Sequence, residues 1–476
     1  MSKRTIYTGL ILVIILAGVI SGGWWLFHDA SGRLKLSVPG MDMSGNTMIN
    51  KEAEVKIGEI FTLFKTGDEM PGLSWPRFRG TGFDNISREK IHLIDSWGQS
   101  GPKILWRVNL GEGHAAPAVY NGRVYILDYD EARKTDALKC FSLKNGEELW
   151  TREYHVHLKR NHGFSRTIPA VNDKFVVSIG PGCQVMCVDR ISGDFRWGID
   201  LVKSFKAEVP FWYTGQCPLL AGDTVILAPG GRALMVAVEC SSGKVLWETP
   251  NPKGWKMSHS SVMPFSFQGR KMYVYFAIGG IAGISADGQD AGKLLWDCTD
   301  FAPAVVVPSP VVLENGRILL TAGYGAGSAM LQLREHDGKY IASVIQQYRP
   351  QEGIASEQQT PVYYKGIVYS IMPKDAGGMR NQFVAVSPRD GKKILFSSGK
   401  NERFGLGPYL VADDKFFILD DDAELSIAKV SGSEFRVLDK TRIIEGQDAW
   451  GPLALTGGYL LMRDSKQMVC IDIRAK

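Results

Sequence analysis

Short apolar runs, each cut off by a turn bearing Gly, Asn or Asp, recur along this chain from residue 117 to its end. Pro117-Ala-Val-Tyr leads to Asn121-Gly122 and then to Val124-Tyr-Ile-Leu127. Pro169-Ala-Val leads through Asn172-Asp173 to Phe175-Val-Val-Ser-Ile179, and Pro218-Leu-Leu through Gly222-Asp223 to Val225-Ile-Leu227. A fourth copy lacks the proline and runs from Ser261-Val-Met through Gln268-Gly269 to Met272-Tyr-Val-Tyr-Phe276. Later copies start at Pro310, Pro361, Pro408 and Pro452, which makes eight. Apolar runs this short, rich in β-branched and aromatic residues and joined by Asn-Gly-type turns, predict strands paired as hairpins.

A second signal follows each hairpin. A small residue is followed six positions later by Gly and four beyond that by Trp: Cys140–Gly146–Trp150, Cys187–Gly193–Trp197 and Ala237–Gly243–Trp247, with Gly292–Trp296 repeating the last part. The Gly-to-Gly steps are 47, 50 and 49 residues. Two further strands per copy, c with the small residue and d with the Trp, give four antiparallel strands in each repeat of ~40–50 residues, the signature of a propeller blade. Helical repeats of similar period are disfavoured by the β-rich runs and by the density of turns. The fold class expected is all-β, an eight-bladed β-propeller preceded by an N-terminal transmembrane helix.

The last copy has strands a, b and c (Pro452–Leu455, Tyr459–Met462, Met468–Asp472) and ends at Lys476 without strand d. Lys103-Ile-Leu-Trp106, ahead of the first full blade, resembles the other Trp-bearing d strands. Residues 103–108 are therefore expected to complete the eighth blade and leave no open edge. Trp106, Trp150, Trp197, Trp247 and Trp296 are read as blade-docking residues, since a large ring on an outer strand can bury much apolar area at a joint. Blades five to seven carry Ala342, Leu395 and Arg436 there and are expected to be less regular.

With 45% hydrophobic and 22% charged residues, 476 residues are enough for one large repeat domain. The net charge of +5 comes without any run of five like charges, so nothing points to nucleic acid. Lys3 and Arg4 precede an uncharged run from Thr5 to Phe27, long enough for a membrane-crossing helix and flanked by Trp24 and Trp25. Positive charge before the span predicts export of all that follows. The domains expected are a signal anchor (1–28), an extracytoplasmic linker and lead-in (29–101), and the propeller (102–476). A cleaved signal peptide competes, but its apolar core is usually shorter. The seven cysteines are expected to be free and buried, because several occupy one equivalent small-residue position.

Cys187-x-Asp189-x-x-x-Gly193-x-x-x-Trp197 and Ala237-x-Glu239-x-x-x-Gly243-Lys244-x-x-Trp247 resemble the tryptophan-docking repeat of quinoprotein (PQQ-type) propellers, and Ala385–Lys392 keeps its first half. Trp75-Pro-Arg-Phe-Arg-Gly80 resembles the lead-in of bacterial PQQ-like propellers. That family includes dehydrogenases holding PQQ with Ca²⁺ in the central channel and cofactor-free binders such as the propeller subunit of the outer-membrane β-barrel assembly machinery. The sequence has no Cys-Cys dipeptide of the kind that lies over the cofactor in the alcohol dehydrogenases, and no Glu/Asn/Asp calcium set or catalytic Asp can be placed.

The connections d-to-a and b-to-c fall on one face, around the channel mouth, and hold the polar and aromatic residues least explained by packing. The binding candidates are His114, His162, Arg166, Gln216, Arg232, His259, Glu357, Gln358, Arg380, Arg403 and Trp450. No catalytic or metal residue is assigned. His155-Val-His157 supplies only two imidazoles, Met41, Met43 and Met48 fall in the tether, and Gly323-x-Gly-x-Gly327 enters a strand where a phosphate loop needs a helix. The function expected is a non-catalytic, membrane-anchored, periplasm-facing propeller that binds a protein partner or ligand at the channel face, without cofactor and without nucleic acid. The alternative is a PQQ- and Ca²⁺-dependent dehydrogenase of alcohols or sugars.

Overall fold

A computed structural model describes residues 14–24, 54–67, 69–99, 101–431, 434–446 and 448–475. Val55–Lys476 forms one compact unit and Met1–Glu54 another. Residues 14–24 are helical. Among the described residues no helix is long and apolar enough to cross a membrane. The rest of the 5–27 span and the Met41–Met48 tract lie outside the described residues.

Eight antiparallel sheets make the ring. Blade 1 consists of strands a (Ala118–Tyr120), b (Arg123–Asp130), c (Thr135–Ser142) and d (Glu148–His155). Blades 2 to 7 repeat this order without interruption, from Ala170–Val171 to Glu434–Arg442. Blade 8 takes a, b and c from Ala454–Thr456, Tyr459–Arg463 and Gln467–Asp472, and d from Lys103–Asn109, with Trp106 opposite Cys470. Arg463 reinforces this junction. Fully buried, it donates to the carbonyls of Ala115 and Gly111, just ahead of blade 1, and to those of Asp464 and Ser465.

The periodic small residue has a direct cause. It faces the Trp across the c–d pair: Cys140 opposite Trp150, Cys187 opposite Trp197, Ala237 opposite Trp247 and Gly283 opposite Trp296, each next to a break in register. The periodic Gly has another. A Cβ on Gly146 would lie 2.8 Å from the Trp106 ring, on Gly193 2.8 Å from Trp150, and on Gly243 and Gly292 2.7 Å from Trp197 and Trp247. Each Trp thus lies on the turn of the following blade, and that turn needs the positive φ that glycine adopts freely. Trp106, Trp150 and Trp197 also donate Nε1–H to carbonyls of that turn, those of Leu143, Ile191 and Cys240.

The series stops at blade 4. Trp296 folds back on its own sheet, against Gly283 and the Met272 sulfur. Blade 5 joins c and d through Asp337-Gly338, both at positive φ, a two-residue hairpin that extends the pair to ten residues each (Gly327–His336, Lys339–Tyr348). Blades 5 to 7 are as regularly four-stranded as the rest; the joints differ. Tyr348 covers Gly391 of blade 6, and Phe396 stacks on Phe435 between blades 6 and 7. All seven cysteines are free and buried.

The segment ahead of the ring belongs to it. Ile60–Leu63 pairs with strand d of blade 1 as a fifth, outer strand. Residues 74–89 enter the channel from the a–b-turn side and close it. Ser74 and Trp75 pair with strand a of blade 1, Arg77 reaches Leu220 of blade 3, and Glu89 caps Thr456-Gly457 of blade 8. Arg79 lies at the centre of this plug. It donates to the carbonyls of Phe83 and Asp84 in its own loop and to Thr360 and Pro361 of blade 6. The Trp-Pro-x-x-Arg-Gly lead-in is therefore a local fold: Gly80, at φ +74°, lies under the Trp75 ring, where a Cβ would be 2.9 Å from it. Burial lowers the Arg79 pKa to about 10. Arg79→Met removes the only donors to these buried carbonyls that the side chain supplies, and each unmatched polar group costs about 1–3 kcal/mol. A fall of several kcal/mol in urea-unfolding free energy is expected, and an unchanged midpoint would contradict the plug.

Candidate functional site

Strand a of each blade starts at the open end of the channel, so the residues just before it face the axis. His114, Arg166, His259, Glu357 and Trp450 occupy that position in five different connections. With His162 and Gln358 they line a cavity of about 320 Å³, floored by Phe78 of the plug.

Arg166 organises the site. Its Nε donates to the Trp212 carbonyl at 2.5 Å, and Nη2 to those of Asn161 (2.7 Å) and His162 (2.8 Å). It has no ion pair. Burial and then the Arg166 charge push the imidazoles of His114 and His259 down to about 3, so both are neutral near neutral pH. His114 lies 4.9 Å from the Trp450 ring, and its Nε2 is 3.0 Å from the His162 carbonyl oxygen. Trp212 stacks on Tyr324 at 5.7 Å with rings 15° apart, and lies 6.0 Å from His259. Burial raises the Glu357 pKa, and its carboxylate accepts from the Lys374 main-chain N–H at 3.4 Å.

Four candidates lie away from the cavity. Gln216 is fully buried, exchanging hydrogen bonds with the Ala228 main chain (2.9 and 3.0 Å) and donating to the Tyr275 hydroxyl. Arg232 pairs with Glu248 and covers the Phe205 ring. Arg403 is committed to the carbonyls of Lys400 and Arg380, and the exposed Arg380 takes part through its main chain. Tyr324 and Gln359, from loops expected around the mouth, line the cavity as well, and Trp212, Lys374 and Phe78 do so without having been assigned to it. Their signals were an aromatic triplet at 211–213 and an aromatic residue inside the Gly323–Gly327 loop; nothing in the sequence marks Lys374.

Asp136, at the mouth end of strand c in blade 1, is buried and accepts from the Tyr154 hydroxyl at 2.6 Å. Burial raises its pKa from 3.8 to about 7. The folded state therefore holds this proton more tightly than the unfolded chain. The resulting stabilisation is complete below pH 3.8 and is lost as pH rises to about 7. Asp136→Asn removes that slope. Its melting temperature should gain on the parent's between pH 4 and pH 8, by the equivalent of at most about 4 kcal/mol. Scanning fluorimetry across that range checks it, and parallel curves would contradict it.

A wider cleft of about 580 Å³ on the opposite face is lined by Arg88, Glu89, Lys365, Asp413 and Asp414 among others. These charges are engaged internally: Arg88 with Asp84, Lys365 with Asp414, Asp413 with Lys415, and Glu89 with Gly457. The channel cavity is the better site, because it leaves a cation uncompensated.

The donor set of that cavity does not suit a Ca²⁺-supported quinone. Glu357 is its one carboxylate among the described residues, and no three His, Cys, Asp or Glu side chains converge anywhere among them. No adjacent cysteines lie over it, and Cys217, the one thiol in its wall, is pushed up to about 11 by burial. His155 and His157 are likewise not part of a metal cluster among the described residues.

A closed ring of eight four-stranded blades with a blind axial cavity defines a quinoprotein-type propeller. The family model described as outer membrane protein assembly factor BamB matches residues 134–394, more than half of the chain, and the chain belongs to that family. Among solved structures, BamB from Moraxella catarrhalis is 12% identical, with a TM-score of 0.51 over 78% of this chain and 99% of that one. A europium-containing methanol dehydrogenase is also 12% identical, with a TM-score of 0.54 over 84% of this chain and 89% of its own. A computationally designed protein reaches 0.50 at 12% identity, over 78% and 99%. At such identities the likeness is one of fold alone. Comparison with curated protein sequences gives no match.

Proposed function

We propose that this chain is a non-catalytic binding protein of the cell envelope, anchored by residues 5–27 with the ring on the extracytoplasmic side, and that it engages a protein partner through the open channel face. The observation that carries this reading is the chemistry of the mouth. Arg166 and His114 are held by main-chain carbonyls and Trp450 by the Asp421 carboxylate, while among the described residues none of His114, His162 and His259 is hydrogen-bonded to a carboxylate. That arrangement presents a recognition surface, and it lacks the paired acid and base that proton abstraction from an alcohol would use. Membership in an assembly-factor family supports a protein as the partner.

The test is photocrosslinking in native membranes from a reactive residue at position 324 or 374, read by mass spectrometry. One envelope protein should be captured, and capture should fall when Tyr324 is replaced by Ala. On the same preparation, a quinone chromophore with Ca²⁺-dependent dye reduction by alcohols or sugars would overturn the reading in favour of a PQQ-dependent dehydrogenase.

A further inference from the structure

We propose that the axial cavity takes an organic carboxylate carried next to a flat apolar group, the carboxylate on Arg166 and Lys374 and the flat group against Trp212 and Tyr324. This rests on reading the mouth as a binding face, and it names what that face accepts.

Charge is the first argument. Three hydrogen bonds to carbonyls hold the Arg166 guanidinium in place and leave Nη1 without an acceptor among the described residues. No carboxylate pairs with it among the described residues, and its neighbours His114 and His259 are neutral. A guanidinium fixed by its other nitrogens, with one free edge on a cavity, is prepared for an oxyanion at little ordering cost. Lys374, on the b–c connection of blade 6, adds a second cation with no ion pair among the described residues. The one carboxyl in the cavity wall, Glu357, is pushed toward its neutral form by burial, while Glu112 and Asp421 act on Arg166 and Lys374 from outside the wall.

Shape is the second. Trp212 and Tyr324 form a stacked wall, and Tyr324 is held over the mouth by a left-handed backbone (φ +56°) while 49% exposed. On this Gly-rich turn about half of the Tyr324 ring stays in solvent, and the stack on Trp212 is its one ring contact among the described residues. A void of about 150 Å³ holds a benzene ring, so about 320 Å³ leaves space for a ring, a carboxylate and water. The closed floor at Phe78 limits the ligand to something short.

The same chemistry comes from two sources, a free aromatic acid or the C-terminal aromatic residue of a partner chain. Calorimetric titration of the full chain with phenylacetate, N-acetyl-L-phenylalanine and N-acetyl-L-phenylalaninamide tests it. A peptide ending in phenylalanine, as free acid and as amide, forms the second arm. Both small acids should bind, and the uncharged amide about tenfold or more weaker. Arg166→Gln should abolish binding. Because that change also frees three carbonyls, Lys374→Gln and Tyr324→Ala serve as further variants, the first costing no side-chain hydrogen bond among the described residues and the second only the stack of a half-exposed ring on Trp212. Each should weaken binding about three- to tenfold at an unchanged melting temperature. Tighter binding of the peptide acid supports the partner as source, and tighter binding of the free acids supports a small molecule. Equal binding of acid and amide, no acid binding at millimolar concentration, or full affinity in both surface variants overturns the proposal. Partner capture that persists when the acids fail to bind would end this inference and leave the envelope-scaffold reading standing. Acid binding without any captured partner would do the reverse.

Discussion

A chain cut after Lys466 yields no folded ring. The missing strand, Gln467–Asp472, is paired on both sides, with Tyr459–Arg463 and with Lys103–Asn109. Met468, Val469, Cys470 and Ile471 are all fully buried. Burying one such side chain is worth about 1.5–3 kcal/mol, so their loss alone approaches the 5–15 kcal/mol that holds most proteins together. Two strand edges, those of Tyr459–Arg463 and Lys103–Asn109, would be opened at once, and Trp106 would lose the strand that positions it on Gly146. The expected result is insoluble or protease-sensitive protein with no cooperative melt. A soluble, protease-resistant product with the parent's melting temperature would mean that closure is not made by the two chain ends.

Trp150→Ala is the second large effect, expected at about 3–5 kcal/mol in urea unfolding. The side chain is 0% exposed. It fills the joint between blades 1 and 2, donates to the Ile191 carbonyl, and lies over Gly193 beside Phe61. Gly193→Ala tests the same joint from the other side. Its Cβ would enter the Trp150 ring at 2.8 Å, on a backbone at φ +73°. Gly338→Ala supplies the control: φ is +75°, but nothing lies within 4 Å. There only the left-handed backbone term of about 1–2 kcal/mol applies. Gly193→Ala should exceed it clearly, and equal losses would show that the ring does not depend on this contact.

Architecture was legible in the sequence because blades repeat, and repetition turns weak local signals into a count. The Cys140–Gly146–Trp150 spacing marked a strand pair and a turn, and Lys103–Trp106 marked the closing strand. What each member of the motif does was not legible, since the small residue serves its own blade while the Gly serves the Trp of the blade before. Blades 5 to 7 were expected to be irregular for want of a Trp. They replace it with Tyr348 and a phenylalanine pair, residue types that look like ordinary strand composition.

The site was partly readable for a similar reason. Position before strand a identifies a residue near the axis, which gathered His114, Arg166, His259, Glu357 and Trp450. Direction of the side chain is a different matter. Gln216 stands in the same kind of connection but turns inward to satisfy Ala228, and Arg232 points outward to Glu248. A long cation such as Lys374 looks like any surface lysine until the loop that carries it is placed. The lead-in was visible as a motif and invisible as a stopper, because its partners lie in blades encoded some 50 to 370 residues away.

That stopper makes the centre of the ring a cup. A ligand that reaches Phe78 meets this segment and leaves by the way it came. A protein resting on the rim would therefore act as a lid, setting the residence time of the contents without touching them.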